Sequence, residues 1–94
     1  MTVDTHPGYR RLFGGDFSVG LFFPITTADG AIPPLGDQVE RAQLAEELGF
    51  DALWFRDVPT YWPKFDDAGQ VYDPWVFLSH IAAHTDRVAL ATGS

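Results

Sequence analysis

Small, polar and aromatic residues stand where three apolar runs of the sequence end. Thr92, Gly93 and Ser94 follow the last run, and Phe22 and Phe23 close the first. A flat aromatic cofactor needs small residues where backbone approaches its face, hydrogen-bonding groups at its polar edge and apolar walls elsewhere. The three C-terminal residues suit the first two needs, and Phe22 or Phe23 suits the third. A strand that runs into a turn explains the same residues more simply, and spacing alone favours that interpretation.

An adjacent pair of opposite charges, Arg56 and Asp57, ends the second apolar run. The Asp57 carboxylate can orient a substrate or hold a polar cofactor edge, whereas a salt bridge to Arg56 or a turn cap is the structural alternative. Neighbouring residues in a strand point to opposite faces. We therefore expect only one of the pair to point inward, and we favour Asp57.

Aspartates are dense around the segment that follows, with Asp66, Asp67 and Asp73 close to Asp57. Their spacing does not follow the alternating ligands of a calcium loop, so a solvated acidic loop is the better interpretation. His80 and His84 lie one helical turn apart, but no Glu follows His80 as a metalloprotease motif requires. We expect no metal site, and the sequence identifies no catalytic residue.

Composition excludes several classes of protein. The chain has 94 residues, a formal net charge of −7 and no cysteine. No run of Lys and Arg could neutralise phosphates, so we expect neither nucleic-acid nor membrane binding. Disulfides and thiolate metal sites are excluded. No segment approaches the ~20 apolar residues of a membrane span, and no signal peptide is evident, so a cytoplasmic protein is expected.

Regular elements alternate between strand and helix after an N-terminal arm. Residues 1–17 show neither regular period and predict an irregular arm, which leaves 18–94 as the body of the domain. Short apolar runs predict strands buried on both faces. The predicted strands are 18–23, 52–55 and 88–92.

Two helices are predicted between these strands. The first has Asp37 as its N-cap with Glu40 three residues later, and it ends at Gly49 in a Schellman motif. It is expected to have a polar stripe opposite an apolar side. The stripe consists of Glu40, Gln43 and Glu47, and the apolar side of Ala42, Leu44, Ala45 and Leu48. The second begins after Asp73, with Pro74 at its first position, and runs to about His84. The long segment 57–73 is predicted to be a functional loop.

A strand–helix–strand–helix–strand series is the opening of a parallel α/β barrel. A closed (β/α)8 TIM barrel takes about 250 residues. The chain is therefore expected to be an incomplete, N-terminal β-α-β-α-β portion of such a barrel. A Rossmann domain is disfavoured, because no dinucleotide glycine signature follows the first strand.

The chain resembles the N-terminal part of the bacterial luciferase-like, flavin-dependent oxidoreductases. The resemblance spans about residues 8–94 and is carried by the order and spacing of three segments. These segments are GFDALWFRDVP at 49–59, DAGQVYDP at 67–74 and AAHTDRVALATGS at 82–94. The closest similarity is to a subgroup with Arg-Asp-Val-Pro after the second strand.

This resemblance implies a barrel that binds FMN, or in some branches a deazaflavin, at the C-terminal ends of the strands. The cofactor-binding residues it implies are Phe23, Asp57, Thr92, Gly93 and Ser94. In the family, the third strand ends in a non-prolyl cis peptide against the flavin ring, which corresponds here to the bond between Gly93 and Ser94.

The chain departs from true luciferases after the second strand. Those enzymes carry Glu-His-His there, and the first histidine, important in their oxygen chemistry, corresponds to Val58. Asp57 matches the Glu in charge only. Aldehyde oxidation is therefore disfavoured, and monooxygenation of another substrate or flavin-mediated hydride transfer stays open.

The leading hypothesis is a fragment of a flavin-dependent oxidoreductase or monooxygenase that contributes part of the flavin and substrate pocket and is inactive alone. Its expected partners are a small-molecule substrate, a supply of reduced flavin and, at full length, copies of itself. One alternative is a noncatalytic chain that associates through exposed strand edges. Another is a fragment of an unrelated TIM-barrel enzyme with a phosphorylated substrate.

Overall fold

The computed structural model describes residues 5–15, 17–25, 34–57 and 72–93. Within them the chain forms a small α/β unit of three helices and three strands. In chain order the elements are α1 (Pro7–Phe13), β1 (Gly20–Phe23), α2 (Leu35–Leu48), β2 (Ala52–Arg56), α3 (Pro74–Ala82) and β3 (Ala89–Gly93). Most of the predicted loop 57–73 lies outside the described residues.

The three strands form one parallel sheet in the order β1-β2-β3. Its register pairs Phe23 with Phe55, Phe55 with Thr92, and Arg56 with Gly93. The carboxyl ends of the three strands therefore meet at one edge, which we call the C-terminal edge. The predicted parallel β-α-β-α-β series is confirmed.

The hydrophobic core lies between the sheet and helices α2 and α3. The rings of Phe23, Phe55 and Phe77 pack with centroids 5.0 to 6.5 Å apart. Leu53 and Ile81 complete the core as fully buried side chains. Aromatic pairs at such distances add stability beyond their buried area.

The N-terminal arm is not irregular throughout, so this part of the prediction is wrong. Residues Pro7–Phe13 form α1, in which proline occupies the first turn. The Nδ1 atom of His6 accepts a 3.0 Å hydrogen bond from the backbone N–H of Gly8 and caps the helix. A helix this short shows no clear 3.6-residue pattern, and histidine is an uncommon N-cap.

Helix α2 begins three residues earlier than predicted, with Pro34 in place of Asp37 at the N-cap position. Asp37 is not its N-cap but lies in the first turn, where its charge complements the helix dipole. The predicted ending is confirmed. Gly49 has a φ of 93°, and the N–H of Phe50 donates to the carbonyl of Ala45 at 3.0 Å.

The start of α3 is confirmed in detail. The Asp73 carboxylate accepts hydrogen bonds of 3.1 and 3.0 Å from the N–H groups of Trp75 and Val76. Pro74 takes the first helical position, as predicted. The helix ends at Ala82, two residues before the predicted end.

The buried face of α2 differs from the expected apolar face. Ala42 and Ala45 are buried, but Leu44 and Leu48 are 52% and 68% exposed. Gln38 and Glu46, both polar, are buried in addition. The expected polar stripe is exposed as predicted, and it consists of Glu40, Gln43 and Glu47.

Gln38 holds the backbone just after β1. Its side-chain oxygen accepts from the N–H of Ile25 at 2.9 Å, and its side-chain nitrogen donates to the Ile25 carbonyl at 2.9 Å. Arg41 donates to the same carbonyl at 3.0 Å. Both polar groups of one residue are thus paired inside the protein, which offsets the cost of burying them.

Glu46 holds the backbone just before β3. Its carboxylate accepts four hydrogen bonds of 2.6 to 3.1 Å from the N–H groups of Asp86, Arg87 and Val88. Burial alone would raise the pKa of the Glu46 carboxyl, but the three N–H donors and the Arg87 charge together outweigh it and lower the pKa. The ionised form therefore favours the folded state.

Replacing Glu46 by glutamine should destabilise the fold at neutral pH by about 1–3 kcal/mol, because the neutral amide accepts hydrogen bonds less strongly and presents an NH₂ group to N–H donors. Glu47→Gln, at the exposed neighbouring position, should change the free energy of unfolding little. Urea unfolding of the three proteins measures this. Equal losses in both variants would contradict the assigned role.

The same substitution should remove a pH dependence. Since the folded-state pKa of Glu46 lies below its ordinary value of 4.5, its contribution to stability is complete above that value and is lost as the pH falls through the lower folded-state pKa. The stability difference between wild type and Glu46→Gln should therefore shrink on acidification below about pH 4.5. A difference that stays constant down to pH 3 would show that ionisation is irrelevant.

Candidate functional site

The two faces of the sheet are unequal. Along β2, Leu53 and Phe55 are fully buried against the helices, whereas Trp54 and Arg56 are only half-buried. Along β1, Phe23 is fully buried. Since successive side chains point to opposite faces, Trp54 and Arg56 lie on the face that α2 and α3 do not cover.

We call this the open face and define it by Phe22, Trp54, Arg56, Ala91 and Gly93. Register supports the grouping, because Trp54 pairs with Phe22 and Ala91, and Arg56 pairs with Gly93. Phe22 is 67% exposed, and the other four are half-buried. The open face therefore presents an aromatic ring, a cation and a residue without a side chain at the C-terminal edge.

Phe22 reaches across the sheet toward Gly93. A Cβ atom placed on Gly93 would lie 3.5 Å from Cε1 of Phe22. Their strands are separated by β2, and neighbouring strands lie about 4.8 Å apart, so the Phe22 ring spans the middle strand. This ring forms an apolar wall beside the half-buried backbone of Gly93, which is the combination that a flat ligand needs.

Trp54 fills the opposite end of the open face. A Cβ atom on Gly20 would lie only 2.7 Å from Nε1 and 2.8 Å from Cδ1 of the Trp54 indole. The glycine in β1 therefore makes room for a tryptophan of the next strand, a common role of glycine where a strand is closely packed.

The structure brings three of the predicted cofactor-binding residues to one edge. The backbone N–H of Asp57 donates to the carbonyl of Gly93 at 3.0 Å, and Thr92 is the residue before Gly93 in β3. Gly93 lies on the open face, but Thr92 pairs with Phe55 and shares the helix-covered face. Ser94, and with it the Gly93-Ser94 peptide bond, lies outside the described residues.

Phe23 lies in the core and not on the open face. It is fully buried and packs against Phe55 and Phe77. Of the two phenylalanines weighed as an apolar wall, Phe22 is the one that a ligand on the open face would meet. The run Leu21-Phe22-Phe23 is apolar throughout, so its composition carries no signal of which side chain faces which way.

Alternation along β2 assigns Arg56, and not Asp57, to the open face. Arg56 follows Trp54 by two residues and has the same orientation, whereas Asp57 follows the buried Phe55 by two. The expectation that Asp57 is the inward-pointing neighbour is therefore not supported. The alternation needs the burial of Phe55 as its reference, and the apolar run 52–55 does not reveal that burial from sequence.

Other recesses lie away from the open face. A cavity of about 400 Å³ opens between α1 and the start of β3, and its lining includes Tyr9, Leu12 and Leu90. A smaller one of about 220 Å³ lies at the start of α3 beside Tyr72 and His80. Neither includes an open-face residue.

The described part of the chain has neither a metal-binding cluster nor a membrane-spanning helix. Within it, no group of three or more His, Cys, Asp or Glu side chains could hold a metal ion. The rings of His80 and His84 contact each other edge to face, 4.9 Å apart. None of the described helices is long and apolar enough to cross a membrane.

Gly20→Ala should destabilise the fold by about 1–3 kcal/mol, because its new methyl group would overlap the Trp54 indole and force a rigid ring to move. Gly93→Ala is the matched control, since its methyl group would meet Phe22 at ordinary contact distance and should change stability by less than about 1 kcal/mol. Thermal unfolding of both variants measures this. A larger loss for Gly93→Ala would refute the described packing of the open face.

Comparison with known proteins assigns the chain to a family. Residues 16–94 match the model of the family described as luciferase-like monooxygenase. Comparison with curated proteins found no match, and comparison with solved structures found none. Since the match covers most of the chain, the resemblance found in the sequence is confirmed: the chain belongs to the luciferase-like monooxygenase family.

Proposed function

We propose that the chain supplies the first three strands of a (β/α)8 barrel in a flavin-dependent oxidoreductase, and that the flavin lies against the open face at the C-terminal edge. Family membership supports an oxidoreductase of monooxygenase type. The parallel β1-β2-β3 order agrees with the opening of such a barrel. In barrels of this kind the ligand lies at the C-terminal ends of the strands.

The observation that carries the proposal is the close approach of the Phe22 ring to Gly93. An exposed aromatic ring lies beside a residue with no Cβ, so an isoalloxazine or deazaflavin ring can pack on Phe22 and approach the β3 backbone. When bound, the flavin would supply hydride transfer or, with oxygen, monooxygenation of a small-molecule substrate.

Other residues of the chain would orient and shield the bound ring. Asp57 acts through its backbone at the same edge, where its N–H donates to the Gly93 carbonyl and keeps the end of β3 against the end of β2. Trp54 fills the deeper part of the open face and excludes water from below. Val58 offers no proton, so proton transfer would have to come from another group.

Phe22→Ala should weaken FMN binding by about three- to tenfold, because the ring that packs against the flavin is lost. Phe13→Ala is the matched control. Phe13 is 64% exposed, close to the 67% of Phe22, but lies on α1 outside the open face. Two-dimensional NMR titration of the ¹⁵N-labelled chain with FMN detects even weak binding.

Three results are informative in this titration. Selective weakening by Phe22→Ala, with amide shifts at Arg56 and Gly93, supports the proposal. Equal weakening by both variants, or unchanged affinity for Phe22→Ala, contradicts the placement of the flavin. Absence of any FMN-induced shift in the wild-type chain would contradict binding to these strands altogether.

A further inference from the structure

We infer that Arg56 binds an oxyanion, a carboxylate or a phosphate, on the molecule that occupies the open face. The inference depends on the proposed function only for the location of that molecule. It concerns the chemical class of the ligand, which neither family membership nor the fold specifies.

Arg56 lies at the edge of the sheet where such a ligand would bind. It is the last residue of β2 and lies half-buried at the C-terminal edge. Its register partner on β3 is Gly93, which has no side chain, and the Phe22 ring is the group that lies beside Gly93. The Phe22 ring crosses β2 from β1 to Gly93. A planar molecule lying on Phe22 would therefore bring its rim to Arg56.

Arg56 is a positive charge in a chain that is mostly negative. The chain has six Lys and Arg against thirteen Asp and Glu. Among the described residues, Arg56 is the one Lys or Arg on the open face. Arg41 donates to the Ile25 carbonyl on the helix-covered side, and Arg87 precedes β3 at the other end of the strands. A cation retained in a strand beside aromatic rings suits a ligand of opposite charge.

Arginine chemistry narrows the ligand to an oxyanion. The guanidinium is planar and permanently charged, and its fork of donors matches carboxylate and phosphate oxygens. Arg56 also interacts within the chain. Because arginine has five N–H donors, that interaction and a bound oxyanion are compatible. The oxyanion has two possible sources, an aromatic carboxylate substrate and the phosphate of the flavin.

The test compares charged and neutral probes of the same shape. Benzoate is paired with benzamide, and FMN with riboflavin, in NMR titrations of the wild-type chain, Arg56→Gln and Arg56→Lys. Arg41→Gln is the control for loss of an arginine outside the open face. We expect wild type to prefer the charged member of at least one pair by about tenfold, and Arg56→Gln to lose that preference. Arg56→Lys should keep part of it, and Arg41→Gln all of it.

The pattern of loss identifies the source. Loss of the benzoate preference alone assigns the oxyanion to substrate, and loss of the FMN preference alone assigns it to the flavin phosphate. In wild type the preference should also fall as salt rises from 20 to 300 mM, a measurement that needs no variant.

Two results would overturn the inference: no charge preference in wild type, or preferences that Arg56→Gln leaves unchanged. A benzoate preference that depends on Arg56, found together with no flavin binding, would refute the proposed function and leave the oxyanion site standing.

Discussion

The carboxylate of Glu46, on the last turn of α2, receives three consecutive backbone N–H groups at the point where the chain enters β3. Burying a carboxylate is costly unless donors replace water, and here the backbone provides them. The contact sets where β3 begins and hence its register. A slip of one residue would exchange the faces of Thr92 and Gly93 and place a β-branched side chain beside Arg56. The open face therefore depends on a contact at the opposite end of the strands.

The same helix sets the other boundary of the site. Gln38, one turn from the start of α2, pairs with both backbone groups of Ile25 just after β1. Asp51 acts at the N-terminal edge, where its backbone and carboxylate join Val19 to the first residue of β3, Ala89. Polar groups thus align the three strands, while the apolar core provides cohesion without specifying register.

Much of the fold could be predicted because its signals are local. Apolar runs located the strands, Asp73 with Pro74 marked the start of α3, and Gly49 marked the end of α2. The polar contacts of Gln38 and Glu46 could not be predicted, since a polar residue on a helix is ordinarily exposed and its partners lie far away in sequence.

For the candidate site, the sequence predicted its location at the C-terminal edge of the sheet but not which side chains face a ligand. Strand ends pointed to Asp57, Thr92 and Gly93, and the structure brings these residues together. Which side chains face a ligand required the register. For that reason Phe22 and Arg56 emerged from the structure, whereas Phe23 proved to belong to the core.

The central claim is that a flavin contacts the open face at the C-terminal edge. Isotope-filtered NOE spectroscopy of the ¹³C-labelled chain with unlabelled FMN tests it most directly, because it reports protons of protein and ligand within about 5 Å of each other. The account predicts cross-peaks from the flavin ring to the Phe22 ring and to the Gly93 α-protons. Cross-peaks to Tyr9 and Leu12 instead would place the ligand in the cavity beside α1 and contradict the account.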